Sequence, residues 1–468
     1  MAAPSTTKRA IVIGGGISGL CSAFDLAKAG WAVEVHEASS RWGGKVHTSP
    51  VGDRPVDAGP DTFLARVAPG RQLCRDLGLE AELTSPVAPV PAYIARAGRL
   101  FPLPAGSMLG VPIDLDALTR SGLITTGGVQ RAGQDLDLDR STLLDGADPS
   151  VGAICRERVG DEVTEWLIDP ILGGINASDL DRLSLAAGAP LLATALERSP
   201  SLITGLSALR PNAGPMLGST GPAQPVFFGL PGGIARIIDE LTAALAALGA
   251  DLRLDHAVDG PAGLADARDR ADAVVLATPA ASTAVLLGEA NPRVATELDG
   301  IDYASVAQVT VELPVSGVDR VLDAAGVLMP RPEGRLMTAA TWFSTKWAHY
   351  QREGTVLIRM TSGRYGDDRP SQLDDGALTS ALLDDLSSVV PVTAEPIAVR
   401  VHRWRRALPQ YTPGHADRVA RIDDALCVTP DISLVGAAYR GIGLPACIES
   451  GRQAAAKITA RADSSAKA

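Results

Sequence analysis

The chain has 468 residues, a formal net charge of -11, 46% hydrophobic residues and 21% charged residues. This length accommodates two or three domains around a large core. The negative charge argues against nucleic acid as a partner and against electrostatic adhesion to anionic membranes. No apolar run reaches the roughly 18 residues of a membrane-spanning helix, so we expect no transmembrane segment.

The first predicted elements form a strand, a glycine turn, a helix and a second strand. Residues 10–13 are an apolar strand, and Gly14, Gly16 and Gly19 follow in G-x-G-x-x-G spacing. Gly14 makes the turn, Gly16 lets the backbone approach a pyrophosphate, and Gly19 lets the helix pack on the strand. The second strand, residues 31–36, ends at Glu37, whose carboxylate suits a ribose diol and repels a 2′-phosphate. These features predict a dinucleotide site and disfavour NADP.

A second motif follows four residues after Glu37. Arg41, Gly43 and Gly44 complete an E-x3-R-x-G-G pattern, which resembles the second signature of the flavin amine oxidase and protoporphyrinogen oxidase superfamily. The resemblance implies that the cofactor is FAD held by the protein, rather than a diffusing NAD.

Metal and disulfide chemistry is not predicted. The five cysteines and six histidines are dispersed and form no C-x-x-C pair. Asp135, Asp137 and Asp139 alternate, but Arg140 and Gly146 stand where a calcium loop needs Gly and Glu. We therefore expect a solvated acidic loop there.

The fold class is predicted as α/β with α+β inserts. Short apolar runs at 274–277 and 433–436 suit buried parallel strands. They indicate a discontinuous Rossmann-type FAD-binding domain over 1–84, 225–290 and 396–468. Strand-like segments at 305–313 and 354–360 place a mixed-sheet substrate domain at 85–100 and 291–395. Residues 101–224 form a helical insert that lines the pocket or faces a membrane, with a helix predicted over 151–167.

Further motifs extend the resemblance over most of the chain. They occur in order at residues 57–64, 101–107, 170–179, 402–411 and 434–445. Together they resemble the porphyrinogen oxidases of haem synthesis, and most of all the soluble branch that contains the coproporphyrinogen III oxidases of Gram-positive bacteria. The resemblance implies oxidation of a porphyrinogen, with FAD passing the electrons to O2 to give hydrogen peroxide. The flavin N5 takes the hydride, and we assign no catalytic residue.

Most predicted cofactor contacts follow from the resemblance. The residues assigned to FAD are Gly14, Gly16, Ile17, Ser18, Gly19, Glu37, Ala38, Arg41, Gly43, Gly44, Gly59, Val258, Trp404, Gly436, Gly443, Leu444 and Pro445. The last helix is expected to aim its N-terminus at the electron-rich edge of the flavin ring, where its dipole stabilises a reduced flavin anion.

Substrate contacts are predicted from side-chain chemistry. Arg66 is the first candidate for holding a propionate, because a guanidinium matches a carboxylate bidentately. Arg335 and Arg359 are weaker candidates. The remaining residues assigned to the substrate are Phe63, Asn176 and Tyr411. Asn176 departs from the family pattern, which has Tyr at that position.

The other interpretations stay open at this point. The substrate could be protoporphyrinogen IX instead, or the chain could be another flavin oxidase, acting on an amine or a carotenoid-like polyene. A redox-silent isomerase, like UDP-galactopyranose mutase, or a porphyrin carrier is a further alternative.

A polar stretch precedes the first strand, so we expect no signal peptide and a cytoplasmic location. We also expect transient contact with a ferrochelatase, because free porphyrin is phototoxic.

Overall fold

The structure is a computed structural model that describes residues 7–88, 90–146, 148–209 and 225–465. Its strands are, in chain order, β1 (Arg9–Ile13), β2 (Ala32–His36), β3 (Thr48–Val51), β4 (Arg54–Asp57), β5 (Phe63–Leu64), β6 (Tyr93–Arg96), β7 (Arg99–Pro102), β8 (Ser107–Met108), β9 (Val111–Pro112), β10 (Phe227–Phe228), β11 (Asp251–Arg253), β12 (Ala273–Leu276), β13 (Tyr303–Pro314), β14 (Gly326–Leu328), β15 (Met337–Trp342), β16 (Thr355–Ser362), β17 (Ala398–Pro409) and β18 (Ile432–Leu434).

The α-helices lie between and after these strands. They are α1 (Ile17–Lys28), α2 (Ala68–Asp76), α3 (Leu115–Ser121), α4 (Thr126–Gly133), α5 (Val151–Val159), α6 (Asp161–Val163), α7 (Gly174–Asn176), α8 (Leu185–Gly188), α9 (Pro190–Arg198), α10 (Leu202–Leu209), α11 (Arg236–Ala247), α12 (Gly260–Arg270), α13 (Ala280–Leu287), α14 (Pro292–Asp299), α15 (Phe343–Lys346), α16 (Asp375–Ser387), α17 (His415–Leu426) and α18 (Leu444–Ser465).

A five-stranded parallel sheet carries the dinucleotide fold, in the order β11-β2-β1-β12-β18. Successive residues of β1 point to opposite faces, so Val12 packs with α1, α11 and α18, while Ile11 packs with α12, α13, α14 and α17. Helices on both faces explain why the central strands β1 and β12 are apolar, apart from Arg9 at the start of β1. The predicted α/β fold class is confirmed.

A seven-stranded mixed sheet lies beside this domain, in the order β17-β13-β16-β15-β14-β6-β7. Its pairs are antiparallel except β14 with β6. The predicted strands at 305–313 and 354–360 fall in β13 and β16. Helix α16 packs its buried leucines against one face of this sheet.

The helical segment from α3 to α10 has its own core. The predicted helix over 151–167 begins at α5, where the Ser150 hydroxyl accepts a hydrogen bond from the Ala153 N–H. The prediction of one continuous helix is wrong, because Gly160 adopts a positive φ of 85° and ends α5. After α6 the chain continues as a π-helix, Thr164–Gly173, with Pro170 inside it. Since proline cannot donate the helical hydrogen bond, a regular α-helix could not pass this point unchanged.

The expected solvated acidic loop is also wrong at one position. Asp137 and Asp139 are exposed, but the side chain of Asp135 is fully buried. It pairs with Arg158, whose side chain is equally buried, at 2.5 Å. Within the ranges that the structure describes, no cluster of His, Cys, Asp or Glu could hold a metal ion.

The division into three domains stays a prediction. Strand β17, which that division assigns to the FAD-binding domain, pairs along β13 in the large sheet. The end of the predicted 101–224 insert lies outside the described residues. Among the residues that are described, no helix has both the length and the apolarity to cross a bilayer.

Candidate active site

The turn between β1 and α1 is built as the glycine spacing predicts. Gly14 has a φ of 111°, and a Cβ there would lie 2.9 Å from the Ala277 backbone. A Cβ on Gly19 would lie 2.1 Å from the Gly14 carbonyl oxygen, whereas a Cβ on Gly16 would meet nothing within 4 Å. Gly16 therefore faces open space at the start of α1, and no side chain caps this helix.

Glu37 lies at the carboxyl end of β2, beside the same turn. Its Oε2 accepts a hydrogen bond from the Gly15 N–H at 2.8 Å, and Oε1 accepts bonds from the N–H and hydroxyl of Ser39. The Glu37 backbone bonds to Arg253 and His256, which brings Ala38 and the segment around Val258 to this end of the site. Each carboxylate oxygen has a second lone pair, so Glu37 keeps the capacity to accept a ribose hydroxyl.

The R-x-G-G segment folds against the glycine turn. The Gly43 N–H donates to the Gly15 carbonyl at 2.8 Å, and Arg41 Nη2 donates to the Gly44 carbonyl at 2.7 Å. The Arg41 guanidinium also lies 5.9 Å from the ring centre of Trp404. Desolvation lowers the pKa of Arg41. The structure thus brings Arg41, Gly43 and Gly44 together with Gly16 and Trp404.

Trp404 and Gly59 join the large sheet to this site. Trp404 Nε1 donates to the Ala58 carbonyl at 2.6 Å. A Cβ on Gly59 would lie 2.0 Å from the Lys45 carbonyl oxygen, so only glycine fits. Arg359 bonds to the Gly59 carbonyl and to Asp61. Because Arg359 is buried in this network, its weak assignment to a substrate propionate is not supported.

Asp57 precedes this segment and gives the apoprotein a testable pH dependence. Its buried carboxyl accepts hydrogen bonds from Thr48 and from the Ile234 N–H. Burial raises the pKa of Asp57 from 3.8 to about 7. The folded state then binds one more proton than the unfolded state between pH 4 and 7, so this group lowers the free energy of unfolding as the pH rises through that window.

We expect Asp57→Asn to remove this dependence, because the amide oxygen can accept the same two hydrogen bonds without ionising. In urea titrations at pH 5 and pH 8, the variant should gain stability relative to the natural protein at pH 8. If the free energies of unfolding of the variant and the natural protein differ by the same amount at both pH values, the raised pKa of Asp57 is contradicted.

The C-terminal part of the site is held by Tyr411. Its hydroxyl donates to the Ala437 carbonyl at 2.5 Å and accepts from the Gly441 N–H at 2.7 Å. Its ring stacks on His415 at 4.0 Å. The structure therefore places Tyr411 behind the loop that runs from Gly436 to α18. Its hydroxyl holds this loop, and its ring is stacked on His415 instead of being open to a substrate ring.

The last helix reaches the glycine turn directly. A Cβ on Gly451 would lie 2.2 Å from the Ser18 carbonyl oxygen, so α18 crosses close over α1. This crossing brings the Gly443, Leu444 and Pro445 start of α18 to the same side of the sheet as Ile17 and Ser18. Gly436, with a φ of 124°, provides the turn after β18.

The predicted substrate residues are dispersed. Phe63 is buried in the core around α2, with Phe228 at 6.1 Å. Asn176 is buried, and its Nδ2 donates to the Leu172 carbonyl at the end of the π-helix. Arg335 lies 3.5 Å from Asp385. Arg66 is exposed and forms no ion pair with any residue that the structure describes. Of these residues, Arg66 alone presents an uncommitted charge.

Comparisons with known proteins decide the class of this site. The family model for flavin containing amine oxidoreductases matches residues 17–459. The chain belongs to this family. It is 33% identical to a protein of Bacillus subtilis named coproporphyrinogen III oxidase, over 96% of this chain and 97% of that one. It is 26% identical to the chloroplastic protoporphyrinogen oxidase 1 of Arabidopsis thaliana, over 97% and 88%. A crystal structure from Exiguobacterium sp. 255-15 superposes with a TM-score of 0.82 and 29% identity, over 97% and 99% of the chains.

Membership of the flavin oxidoreductase family confirms the predicted FAD cofactor and the predicted enzyme class. The geometry fits the cofactor, because the uncapped start of α1 and the open side of Gly16 form a cradle for a pyrophosphate. Glu37 would hold the ribose of the adenosine half of FAD. The Gly436 loop and the start of α18 would lie along the flavin half. Arg41 and Trp404 would close the site from the side of the large sheet.

Sequence reasoning missed Lys45, which follows Gly44 directly. Water reaches its side chain, yet desolvation by the surrounding protein lowers its pKa. A lysine after R-x-G-G is a signal that could have been noticed, since a cation in a dinucleotide site faces an anionic ligand.

Proposed function

We propose that this protein oxidises coproporphyrinogen III to coproporphyrin III in haem biosynthesis, with FAD as cofactor and O2 as acceptor, giving hydrogen peroxide. The observation that carries the proposal is the 33% identity, over nearly the full length of both chains, to the Bacillus subtilis coproporphyrinogen III oxidase. The site geometry supports it because the glycine turn, Glu37 and the R-x-G-G segment contact one another.

Bound FAD would supply the hydride acceptor and the means of passing electrons on to O2. Forming a porphyrin removes six electrons and six protons from the porphyrinogen, so three flavin cycles consume three O2 and release three H2O2. The role of the chain's own residues is to bind and orient the cofactor and the substrate. Tyr411 holds the loop beside α18, and Trp404 and Arg359 fix the segment around Gly59. No side chain is assigned as a base, and solvent can accept the pyrrole proton.

Protoporphyrinogen IX is the second candidate substrate, and the Arabidopsis thaliana relative favours it. Its identity to this chain is lower, at 26% against 33%. Coproporphyrinogen carries four propionates and protoporphyrinogen two, so anchoring arginines distinguish the two substrates. Contact with a ferrochelatase stays part of the proposal.

The test is the initial rate of porphyrin fluorescence in aerated buffer, with the two porphyrinogens at equal concentration. We expect faster turnover of coproporphyrinogen III and uptake of O2 in proportion to porphyrin formed. Faster turnover of protoporphyrinogen IX would show that the second candidate, and not coproporphyrinogen III, is the preferred substrate. Rates no higher than autoxidation with FAD bound would reject both.

Arg66→Ala tests the propionate anchor. We expect the apparent KM for coproporphyrinogen III to rise about tenfold with FAD content unchanged, because a charge-assisted contact to the substrate is lost. Arg71→Ala is the matched control, since Arg71 is also exposed but pairs with Glu80. An unchanged KM in Arg66→Ala would remove this residue from the substrate site.

A further inference from the structure

The turn that follows β16, residues 363–367, contacts the helical insert close to a predicted substrate residue. The Tyr365 N–H of this turn donates to the Ala177 carbonyl at 2.7 Å. Ala177 follows Asn176, whose carbonyl accepts a hydrogen bond from the Gln410 side chain at 3.2 Å. Gln410 precedes Tyr411, which holds the loop beside α18. The turn is therefore linked through Asn176 to the loop that would lie along the flavin half of FAD.

The strand that leads into this turn has one face towards the FAD site. Side chains alternate along a strand, so Arg359 and Thr361 share a face of β16, and Arg359 bonds to the Gly59 carbonyl. The strand register continues this face from Thr361 through Leu328 to Ile94 of β6. Ile94 packs into the core of the helical insert. The FAD site and the insert thus cover different parts of one face, and the turn after β16 touches the insert.

Two arginines share one carboxylate at this place. Arg331 Nε lies 3.2 and 3.1 Å from the two carboxylate oxygens of Asp169 in the π-helix, and its Nη2 donates to the Ser178 carbonyl. Arg364, in the turn, approaches Asp169 only to 3.7 Å, which is too long for a hydrogen bond. The side chains of Asp169 and Arg364 are 8% and 13% exposed. One negative charge therefore faces two positive charges where there is little water.

The neighbouring acids are committed to other groups. Asp367, in the same turn, pairs with Arg369 at 2.7 Å, and Asp302 accepts a hydrogen bond from the Tyr365 hydroxyl. Within the ranges that the structure describes, no residue accepts a hydrogen bond from the Arg364 guanidinium. A largely buried cation with unused donors suits an anionic ligand, because burial without a partner is costly. A carboxylate matches a guanidinium bidentately.

We propose that the Arg364 guanidinium binds a carboxylate of the substrate, namely a propionate group of the porphyrinogen. Arg331 neutralises Asp169, which leaves the charge of Arg364 for the ligand. This inference rests on the proposed function, because it takes the substrate to be a porphyrinogen. Together with Arg66, it gives coproporphyrinogen III anchors for more than one of its propionates.

The test is the dissociation constant of the product, coproporphyrin III, for the FAD-loaded protein, measured by fluorescence titration. We expect Arg364→Met to bind it about tenfold more weakly than the natural protein, because a charge-assisted contact to a carboxylate is lost. The tetramethyl ester of coproporphyrin III has no carboxylate. Its dissociation constant should therefore change less than about twofold, with both ligands measured in the same non-ionic detergent.

The controls separate ligand binding from a structural role. Arg182→Met is the matched variant, since Arg182 lies 4.7 Å from the Tyr365 ring centre but is 56% exposed; it should bind both ligands like the natural protein. Arg364→Lys keeps the charge without the fork and should recover part of the affinity. FAD content and the free energy of unfolding should stay unchanged in Arg364→Met, because Asp169 keeps its closer pair with Arg331. If Arg364→Met folds poorly, Arg364→Gln gives the same comparison.

Equal affinity of Arg364→Met and the natural protein for coproporphyrin III would overturn the proposal. An equal loss of affinity for the acid and for its ester would also overturn it, since Arg364 would then maintain the shape of the site without binding a carboxylate. Both outcomes leave the proposed function intact. A natural protein that binds neither porphyrin would reject the proposed function together with this inference.

Discussion

Replacing Gly16 by alanine should weaken FAD binding about 100-fold, or about 2.7 kcal/mol. The Gly16 Cβ position is open, with no protein atom within 4 Å, and it faces the space where the pyrophosphate must approach the start of α1. A methyl group there excludes the phosphate without touching the protein. The apoprotein should lose no more than about 1 kcal/mol of stability, the cost of alanine at a helix N-cap.

Gly19→Ala and Gly376→Ala complete this experiment. A Cβ on Gly19 collides with the Gly14 backbone at 2.1 Å, so Gly19→Ala should destabilise the apoprotein as well as lose FAD. Gly376 lies in α16, where a Cβ meets Asp374 at an ordinary 3.5 Å, and its alanine variant should behave like the natural protein. Normal FAD affinity in Gly16→Ala would show that the pyrophosphate does not pass this residue. Affinity is measured by titrating apoprotein with FAD.

Arg158→Met should cost about 3–5 kcal/mol of unfolding free energy. The Arg158 and Asp135 side chains are both completely buried. Asp135 also accepts hydrogen bonds from the Ser201 hydroxyl and from the N–H groups of Leu202 and Ile203, at the start of α10. Removing the guanidinium leaves a buried carboxylate without its counter-charge, and it also releases the backbone carbonyls that Arg158 binds.

The matched control is Arg140→Ala, which breaks an ion pair of the same segment with Asp145. Those side chains are 57% and 62% exposed, so the loss should be roughly 0–1 kcal/mol. Urea unfolding followed by circular dichroism measures both variants. Similar small losses in the two would mean that the helical core does not depend on the Arg158–Asp135 pair.

The parts of the site that were predictable from sequence are those fixed by local geometry. Gly14, Gly16 and Gly19 stand in a single strand–turn–helix unit, so their spacing alone indicates their roles, although the close neighbour of Gly14 is the distant Ala277 backbone. The apolar runs of the parallel sheet follow from burial on both faces. The assignment of Glu37 follows equally from its place at the end of a strand.

The unpredicted features depend on contacts between distant segments. The single helix over 151–167 fits its apolar periodicity, but Gly160 takes a left-handed conformation that periodicity does not reveal. Asp135 looks like part of an acidic surface until Arg158 pairs with it in the folded insert. The aromatic ring of Tyr411 predicts contact with the substrate, whereas in the structure its hydroxyl joins Ala437 to Gly441. Such roles are decided by tertiary partners rather than by residue type.

We propose that the flavin of this protein accepts electrons from coproporphyrinogen III. The most direct measurement is anaerobic mixing of the FAD-loaded protein with this substrate, following flavin absorbance and porphyrin fluorescence together. We expect the flavin absorbance to bleach in the absence of oxygen, because one FAD takes two of the six electrons, and we expect O2 to restore it while porphyrin fluorescence rises. A flavin that stays oxidised with coproporphyrinogen III but bleaches with an amine would contradict it.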